Sequence, residues 1–487
     1  MAAIAAQRGA TSQLQPSTPL LAMLPDEARL HSVRTGITLD GKQIRAEAAR
    51  QARTFAALGL GPGARIVVGE ADPLDAVIAM LAAWTAGLVA VAVNPALAAD
   101  EQANVVAATG ARHWAGACRV ALPENSPSAG PHAGPLGPDV PALILMTSGT
   151  TGRPKGIVHT QRSLMARITL NIATIGRPVL ADSLCILPVF FGHGLIGNVL
   201  TPLLAGGTVH LLPGPDMSEL RGLGALIDHH GIGFMSSVPS FWKLALRLAE
   251  APARPLRRVQ VGSAPLSVAL WREIADWAGT GEVFNLFGMT ETANWIGGGR
   301  LDEAGGRDGF VGRAWGGRFA VLAEDGRIAD RGRGEVLVIT PSIMQGYWER
   351  PDLDAEAFSD GWFRTGDIGE LSAGGELVLV GRIKTEINRG GIKVQAEEVD
   401  MLLERHPDIV EACAFGIPDP VSGEAVAAAI VLRAGARFDP EAIKAWCRVH
   451  ARADAVPTRL TQMQAIPRND RGKIVRADVR RAAEDRA

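Results

Sequence analysis

Between Met146 and Gly156 the chain reads MTSGTTGRPKG, a stretch unsuited to the interior of a helix or strand. Gly149 and Gly152 let successive backbone N–H groups converge. Thr147, Ser148, Thr150 and Thr151 add hydroxyl donors, and Lys155 adds a cation. Converging amides, hydroxyls and an ammonium make a cradle for a polyphosphate. The pattern is not a Walker loop. Counted from Gly149, that motif needs glycine at 154 and Ser or Thr at 156, where this chain has Pro154 and Gly156. A plain flexible turn would need neither Lys155 nor the hydroxyls.

The elements that must position this loop are legible around it. PALILMTS is a short buried strand leading into the loop, and ARIVVGE, GLVAVAV, SLCILPV, GTVHLLP, GIGFMSS and RRVQVGSA are further apolar, β-branched runs. Between them MSELRGLGALIDHH and PSFWKLALRLAEA space their Leu, Ile and Ala as helices do. Strand–helix alternation over this length predicts an α/β fold. The uncharged stretch Ala76 to Val93 approaches the length of a membrane span. Gly87 divides it into a buried helix and a buried strand, which Asn94-Pro95 ends. Glu124 to Pro141 is a Pro/Gly/Ser-rich surface connection. After residue 280 the texture turns to strands and turns, and GRIKTEINRGG then brings charge and glycine before a compact α/β pattern. The expected architecture is a large N-terminal domain, 1–383, of mixed sheets covered by helices. A small mobile C-terminal α+β lid domain, 384–487, follows it.

Composition narrows the chemistry. Lys and Arg total 49 against 51 for Asp and Glu, so no general field draws the chain to nucleic acid or an anionic membrane. Any phosphate chemistry must be local. Cys118, Cys185, Cys413 and Cys447 are scattered, form no zinc spacing, and read as reduced thiols of a cytoplasmic protein. The first residues lack the apolar core of a signal peptide.

TSGTTGRPKG resembles the signature of the adenylate-forming superfamily: acyl- and aryl-CoA synthetases, aryl-AMP ligases, adenylation domains of peptide synthetases, and luciferases. Further stretches follow in family order up to Lys473. NLFGMTE resembles the second nucleotide loop, with Asn285, Phe287, Gly288, Thr290 and Glu291. There a Thr290 hydroxyl would meet a phosphate oxygen and the Glu291 carboxylate would hold Mg2+. Phe287 stands where the family usually has Tyr, keeping a ring to lie beside adenine but losing the phenol. VGSAPLS, with Gly262, Ser263 and Ala264, resembles the strand-turn bordering adenine and the acyl pocket. In GWFRTGDIG, Asp367 matches the carboxylate that takes hydrogen bonds from both ribose hydroxyls, and Arg382 matches an arginine that helps hold the nucleotide.

Lys384 falls at the family's hinge, although Thr385 replaces the usual acid beside it. Lys473, in AIPRNDRGKIVR, matches the adenylation lysine. Carboxylate and α-phosphate repel each other, and a mobile ammonium can bridge their oxygens. The turn Arg389, Gly390, Gly391 would reach the thiol tunnel after a domain rotation. LPVFFGHGL resembles the pocket-gating stretch. Phe190, Phe191, His193 and Gly194, with Gly262 and Gly288, are its expected lining, and Gly297-Gly298-Gly299 either opens the pocket or forms a loop. Phe190 and Phe191 read equally as core, and His193 as a buried, hydrogen-bonded imidazole.

The resemblance implies a ligase that joins a carboxylic acid to AMP at the expense of ATP, with Mg2+, and passes the acyl group to coenzyme A. No acid stands in FFGHGL to hold an amino group, which disfavours an amino-acid substrate. The lining suits an aryl or medium aliphatic acid. Two alternatives stay open: an acyl- or aryl-AMP ligase loading a separate acyl carrier protein, and a nucleotide-binding regulator without turnover. A homodimer is common among such ligases. Neither nucleic acid nor membrane is expected as a partner.

Overall fold

Apolar runs this long must pair their backbone polar groups inside the protein, and four sheets do so. The computed structural model describes residues 20–122, 137–147, 155–468 and 474–485, with the side chain of Thr147 left out. The connection Glu124 to Pro141 therefore lies largely outside the described residues, as do Ser148, Gly149, Thr150, Thr151, Gly152 and Lys473.

One sheet runs in the order Gly346–Tyr347, Lys155–Thr160, Pro141–Thr147, Val89–Ala92, Arg65–Gly69, His113–Gly116. Its Val89–Ala92 strand is parallel to both neighbours, whereas Lys155–Thr160 returns antiparallel to Pro141–Thr147 and sets Thr147 opposite Lys155. A nine-stranded sheet lies beside it. Its centre holds Val283–Gly288, Arg258–Val261, Phe234–Ser237, Asp182–Cys185 and Thr208–Leu211, all parallel, and it ends at Arg29–Ser32 and Thr38–Asp40. Helices cover both sheets. Pro73–Thr85 starts on an Asp72 cap and is buried on nearly every side. Trp84 within it donates its indole N–H to the Ala142 carbonyl at 2.7 Å. Gly87 has φ of 71° and separates this helix from Val89–Ala92, as the sequence predicts. Among the described residues no helix is long and apolar enough to cross a membrane.

A third, antiparallel sheet is built on Gly332–Ile339 and Trp362–Leu371, and Leu377–Arg382 pairs with the latter. These elements form the large N-terminal domain. The small C-terminal domain holds Glu386–Arg389, Ile392–Gln395, Ile409–Asp419, Gly423–Leu432 and Arg459–Gln462 in a five-stranded sheet. Its own core includes Val399, Leu403, Ile430 and Ile443. Cys118 is exposed, the other cysteines are buried, and all are free thiols. Burial pushes the Cys185 and Cys413 thiols up to about 12.

Gly297, Gly298 and Gly299 neither open a pocket nor form a loop; they lie in the Trp295–Arg300 strand. A Cβ on Gly298 would sit 2.4 Å from the Trp315 ring, and one on Gly299 would sit 2.4 Å from Phe310. Aromatic rings pack directly on this bare backbone.

Trp271 is fully buried in the Val268–Ala278 helix and donates to the Val283 carbonyl at 2.9 Å, fixing that helix to a site-bearing strand. Trp271→Ala should destabilise the large domain by about 3–5 kcal/mol, read from the denaturant midpoint of its unfolding transition.

Candidate active site

The N-terminal end of Lys155–Thr160 and the end of Val283–Gly288 approach each other across the two large sheets, and their side chains meet. Lys155 Nζ lies 3.3 Å from Glu291 Oε1 and 3.2 Å from the Tyr347 hydroxyl. Tyr347 donates its O–H to the same Glu291 oxygen at 3.1 Å, and its ring lies under the Lys155 ammonium, 4.3 Å from nitrogen to centroid. Burial and the Glu291 charge push the Tyr347 phenol further above its ordinary range, so it stays protonated and donating. Tyr347 is the chain's single tyrosine, among thirteen phenylalanines. Sequence reasoning missed it, although a lone phenol in a chain that otherwise uses Phe was the available signal.

The turn bearing Thr290 and Glu291 is fixed from behind. His159 is buried, and its Nε2 lies 2.7 Å from the Thr290 carbonyl. That partner only accepts, so Nε2 carries the proton and Nδ1 faces the Ser163 hydroxyl at 3.2 Å. Burial lowers the His159 pKa to about 4, which keeps the ring neutral. Met344 N–H donates to the Glu291 carbonyl at 2.7 Å.

Asp367 and Arg382 face each other on paired strands, with Nε to Oδ1 at 2.6 Å. The Asp367 backbone N–H donates to Thr365 Oγ1 at 3.0 Å. Burial pushes the Asp367 carboxyl up to about 6. Arg382 opposes that rise, while Glu397 and Glu291 add to it.

The FFGHGL stretch runs into a π-helical segment, His193–Leu200. His193 Nε2 lies 2.8 Å from Ser236 Oγ and Nδ1 lies 2.9 Å from Ser263 Oγ, with Ser263 held at φ 67°. The Trp295 indole meets the His193 ring edge to face at 5.3 Å, and a Cβ on Gly197 would come within 2.6 Å of that indole. Phe190 and Phe191 pack edge to face at 4.7 Å, and Phe190 also leans on the apolar core. Around this group the sequence hides several buried amides. Asn198 donates to the Ser236 carbonyl at 2.8 Å. Its Oδ1, Asn294 Nδ2 and both polar atoms of Gln260 have no hydrogen-bond partner among the described residues. Gln260 stands opposite Ser236 in register. A glutamine inside the run RVQV and an asparagine inside GLIGNVL were the signals for these.

Other expected residues are placed differently. Phe287 offers no exposed face; it is 5% exposed and packs on Phe319. Asn285 commits its amide to the Phe310 carbonyl at 2.8 Å. Gly262 is buried, while Ser263 and Ala264 are exposed at the turn. A Cβ on Gly194 would meet the Pro188 carbonyl at 2.0 Å, and one on Gly288 the Asn294 carbonyl at 2.4 Å, so both are sites of close backbone packing. Lys384 is exposed in the short turn Ile383–Thr385. Thr385 Oγ1 donates to Glu397, which pairs with Arg476 at 3.0 Å. Arg389 bonds the Ala453 and Asp454 carbonyls, and the Gly390-Gly391 turn is exposed at the edge of the small domain. Arg468 and Ile474, on either side of the residues outside the description that include Lys473, form an antiparallel bridge.

A cavity of about 1070 Å³ lies between the domains, lined by Arg272, Arg333, Glu370, Glu404 and Arg405 among others. It includes neither Lys155, Glu291 nor Asp367. Lys243 with Glu404 at 2.7 Å, and Arg405 with Asp308 at 3.0 Å, span it.

Comparison with known proteins identifies the chain. Residues 21–348 match the model of the AMP-binding enzyme and residues 398–473 that of its C-terminal domain. The chain belongs to the AMP-binding enzyme family. It is 33% identical over 93% of its length to the sulfoacetate–CoA ligase of Cupriavidus necator, covering 94% of that protein. It is 36% identical over 70% of its length to an oxalate–CoA ligase of Arabidopsis thaliana, covering 67% of it. ATP-bound MatB from Rhodopseudomonas palustris shares the fold with a TM-score of 0.83 at 26% identity, over 96% of this chain and 99% of that one. This AMP-binding enzyme is an AMP-forming acid–thiol ligase using ATP, Mg2+ and coenzyme A, which sets aside the reading as a regulator without turnover. The Glu291 carboxylate fits the metal, since Mg2+ takes hard oxygen ligands and Glu291 presents one at the mouth of the site.

Because the folded Asp367 pKa lies above its unfolded value, ionising Asp367 opposes folding. Its contribution therefore worsens as pH rises from about 4 to about 6 and is level above that. Across that window the stability difference between Asp367→Asn and the parent should move in favour of the variant by on the order of 2 kcal/mol. Denaturant titrations at pH 4 and 7 measure it, and a difference independent of pH would refute the raised pKa.

Proposed function

We propose that this ligase activates a short carboxylic acid bearing a second polar or anionic group, and that the Lys155–Tyr347–Glu291 group holds the triphosphate end of the reaction. The carboxylate attacks the α-phosphorus of ATP, pyrophosphate leaves, and an acyl-AMP forms. The thiol of coenzyme A then displaces AMP to give the thioester. Lys473 lies outside the described residues; its proposed part is to bridge carboxylate and α-phosphate oxygens as their charges converge. Mg2+, when bound, supplies positive charge to the departing pyrophosphate. Glu291 would hold it, with the Tyr347 O–H and the Lys155 ammonium fixing which carboxylate oxygen is turned away. Thr147, Ser148, Gly149, Thr150, Thr151 and Gly152 complete the phosphate cradle in this reading. Asp367 accepts from the ribose hydroxyls when ionised, with Arg382 aligning it. Lys384 marks the hinge and the boundary between domains of residues 1–383 and 384–487. Rotation there would part Lys243 from Glu404 and Arg405 from Asp308, and would carry Arg389, Gly390 and Gly391 toward the thiol.

The observation that carries the choice of acid is the set of unsatisfied buried amides around His193. Asn294 Nδ2 and Gln260 Nε2 are donors left without partners, at a cost that a polar substrate group would relieve. Trp295 packs directly on the bare backbone of Gly197, beside His193, which agrees with a short acid. The named substrates of the two relatives, sulfoacetate and oxalate, are short and doubly acidic, which agrees. An aryl acid lying on Phe190 and Phe191 is the second reading, and it rests on that aromatic pair. A medium aliphatic acid fits least well against Trp295.

Pyrophosphate release should be tested over short diacids, sulfonated acids, benzoates and C6–C10 fatty acids, with coenzyme A and a phosphopantetheinylated carrier protein offered in parallel. Short polar acids with coenzyme A should give the highest kcat/KM. A preference for benzoates would establish the aryl reading, and thioester on the carrier alone would overturn coenzyme A as acceptor. Tyr347→Phe should keep the fold and lower the pyrophosphate-release rate about 10- to 100-fold, the worth of a hydrogen bond to a charged group. The loss should shrink as Mg2+ is raised. A loss unmoved by Mg2+ would remove Tyr347 from metal-site positioning.

A further inference from the structure

Three histidines that take no part in this reaction converge at the other end of the nine-stranded sheet. His31 on Arg29–Ser32 stands directly opposite His210 on Thr208–Leu211 in parallel register, so both side chains share one face. His230 ends the Leu223–His230 helix packed over that face. The ring centroids of His210 lie 5.3 Å from His31 and 4.7 Å from His230, and those of His31 and His230 are 5.2 Å apart. One ligand nitrogen from each falls within 4.8 Å of the others.

An ordinary buried-imidazole cluster would satisfy its nitrogens with neighbours, and this one does not. His210 is 5% exposed, yet neither Nδ1 nor Nε2 has a hydrogen-bond partner among the described residues. The nearest carboxylate, Asp182 Oδ1, stands 3.9 Å from its Nε2, too far for a hydrogen bond. Leaving both nitrogens of a buried ring unmet is costly, and an ion that takes the lone pair of the unprotonated nitrogen relieves that half of the cost. His31 is already oriented. Its Nδ1 lies 2.8 Å from Thr38 Oγ1, and with Nδ1–H donating there the Nε2 lone pair is free to turn inward. Burial lowers all three rings toward the neutral form, the form in which imidazole ligates.

We propose that His31, His210 and His230 form a three-nitrogen binding site for a divalent transition-metal ion of the zinc type, with a fourth position left to water. Nitrogen donors of this kind select zinc-like ions over Mg2+, so the site would not compete for the metal of the reaction. His31 and His230 are both partly exposed, whereas His210 between them is buried. A bound ion would fasten the sheet's edge pair, Arg29–Ser32 and Thr38–Asp40, to the Thr208–Leu211 strand and the His230 helix end.

The test uses the full chain without a histidine tag, stripped with chelator and kept in excess Mg2+. Zn2+ alone is the probe, titrated in competition with a chromophoric chelator. The expected result is a single Zn2+ per chain, with a Tm raised by Zn2+. His31→Asn and His230→Gln should each weaken binding by about 100-fold or more, a lost ligand costing at least as much as a lost outer partner. Both variants should keep the parental circular dichroism spectrum and Mg2+-dependent pyrophosphate release. Co2+ bound to the unaltered chain should give the visible bands of a four-coordinate, nitrogen-rich site. Failure of the parent to retain Zn2+, equal affinity in parent and variants, or a six-coordinate Co2+ spectrum would each overturn the proposal.

Discussion

Lys155 begins a strand of one sheet, and Glu291 follows a strand of another. Their contact is made across 136 residues of sequence, so neither can be placed until both sheets have formed and packed. Two opposite charges and one phenol thus hold the mouth where the large sheets converge. The arrangement works because the groups are only partly buried: the side chains of Lys155 and Glu291 keep 29% and 15% of their exposure. A fully desolvated pair would be expensive, and a fully exposed one would be loose. Tyr347 resolves the difference, giving the carboxylate a neutral donor and the ammonium an aromatic face.

The same tension recurs around it. Asp367 is buried enough for desolvation to outweigh an arginine at 2.6 Å, so it sits near the edge of ionisation rather than far below it. Asp400 behaves alike beneath Arg476, pushed up to about 6 by burial against the pull of that cation. Carboxylates held this way respond strongly to any change in neighbouring charge.

Much of this was legible in the sequence. The apolar runs became strands where predicted, because strands buried on both faces carry their own signal in β-branched residues. Gly87 was readable as the break between helix and strand for the reason that only glycine takes φ of 71° without strain. Lys155, Glu291, Asp367 and Arg382 could each be named from its own motif, although their pairing across the fold could not. What could not be read was anything that depends on two distant segments sharing a wall. Trp295 against Gly197, the clasp of Ser236 and Ser263 on His193, and the orphan amides of Gln260 and Asn294 all arise that way. Gly297 to Gly299 was misread for the same cause, since a glycine run in isolation does not reveal which rings will lie on it.

The five-stranded sheet shares no strand pairing with the other three among the described residues. Its attachment in this pose leans on side-chain pairs such as Lys243 with Glu404 and Arg405 with Asp308, the latter with its arginine 55% exposed. The exposed Arg405 pair weakens as salt rises, whereas the more buried Lys243–Glu404 pair is screened much less. The reorientation proposed for the small domain would therefore ask no ladder to unzip, only the parting of side chains.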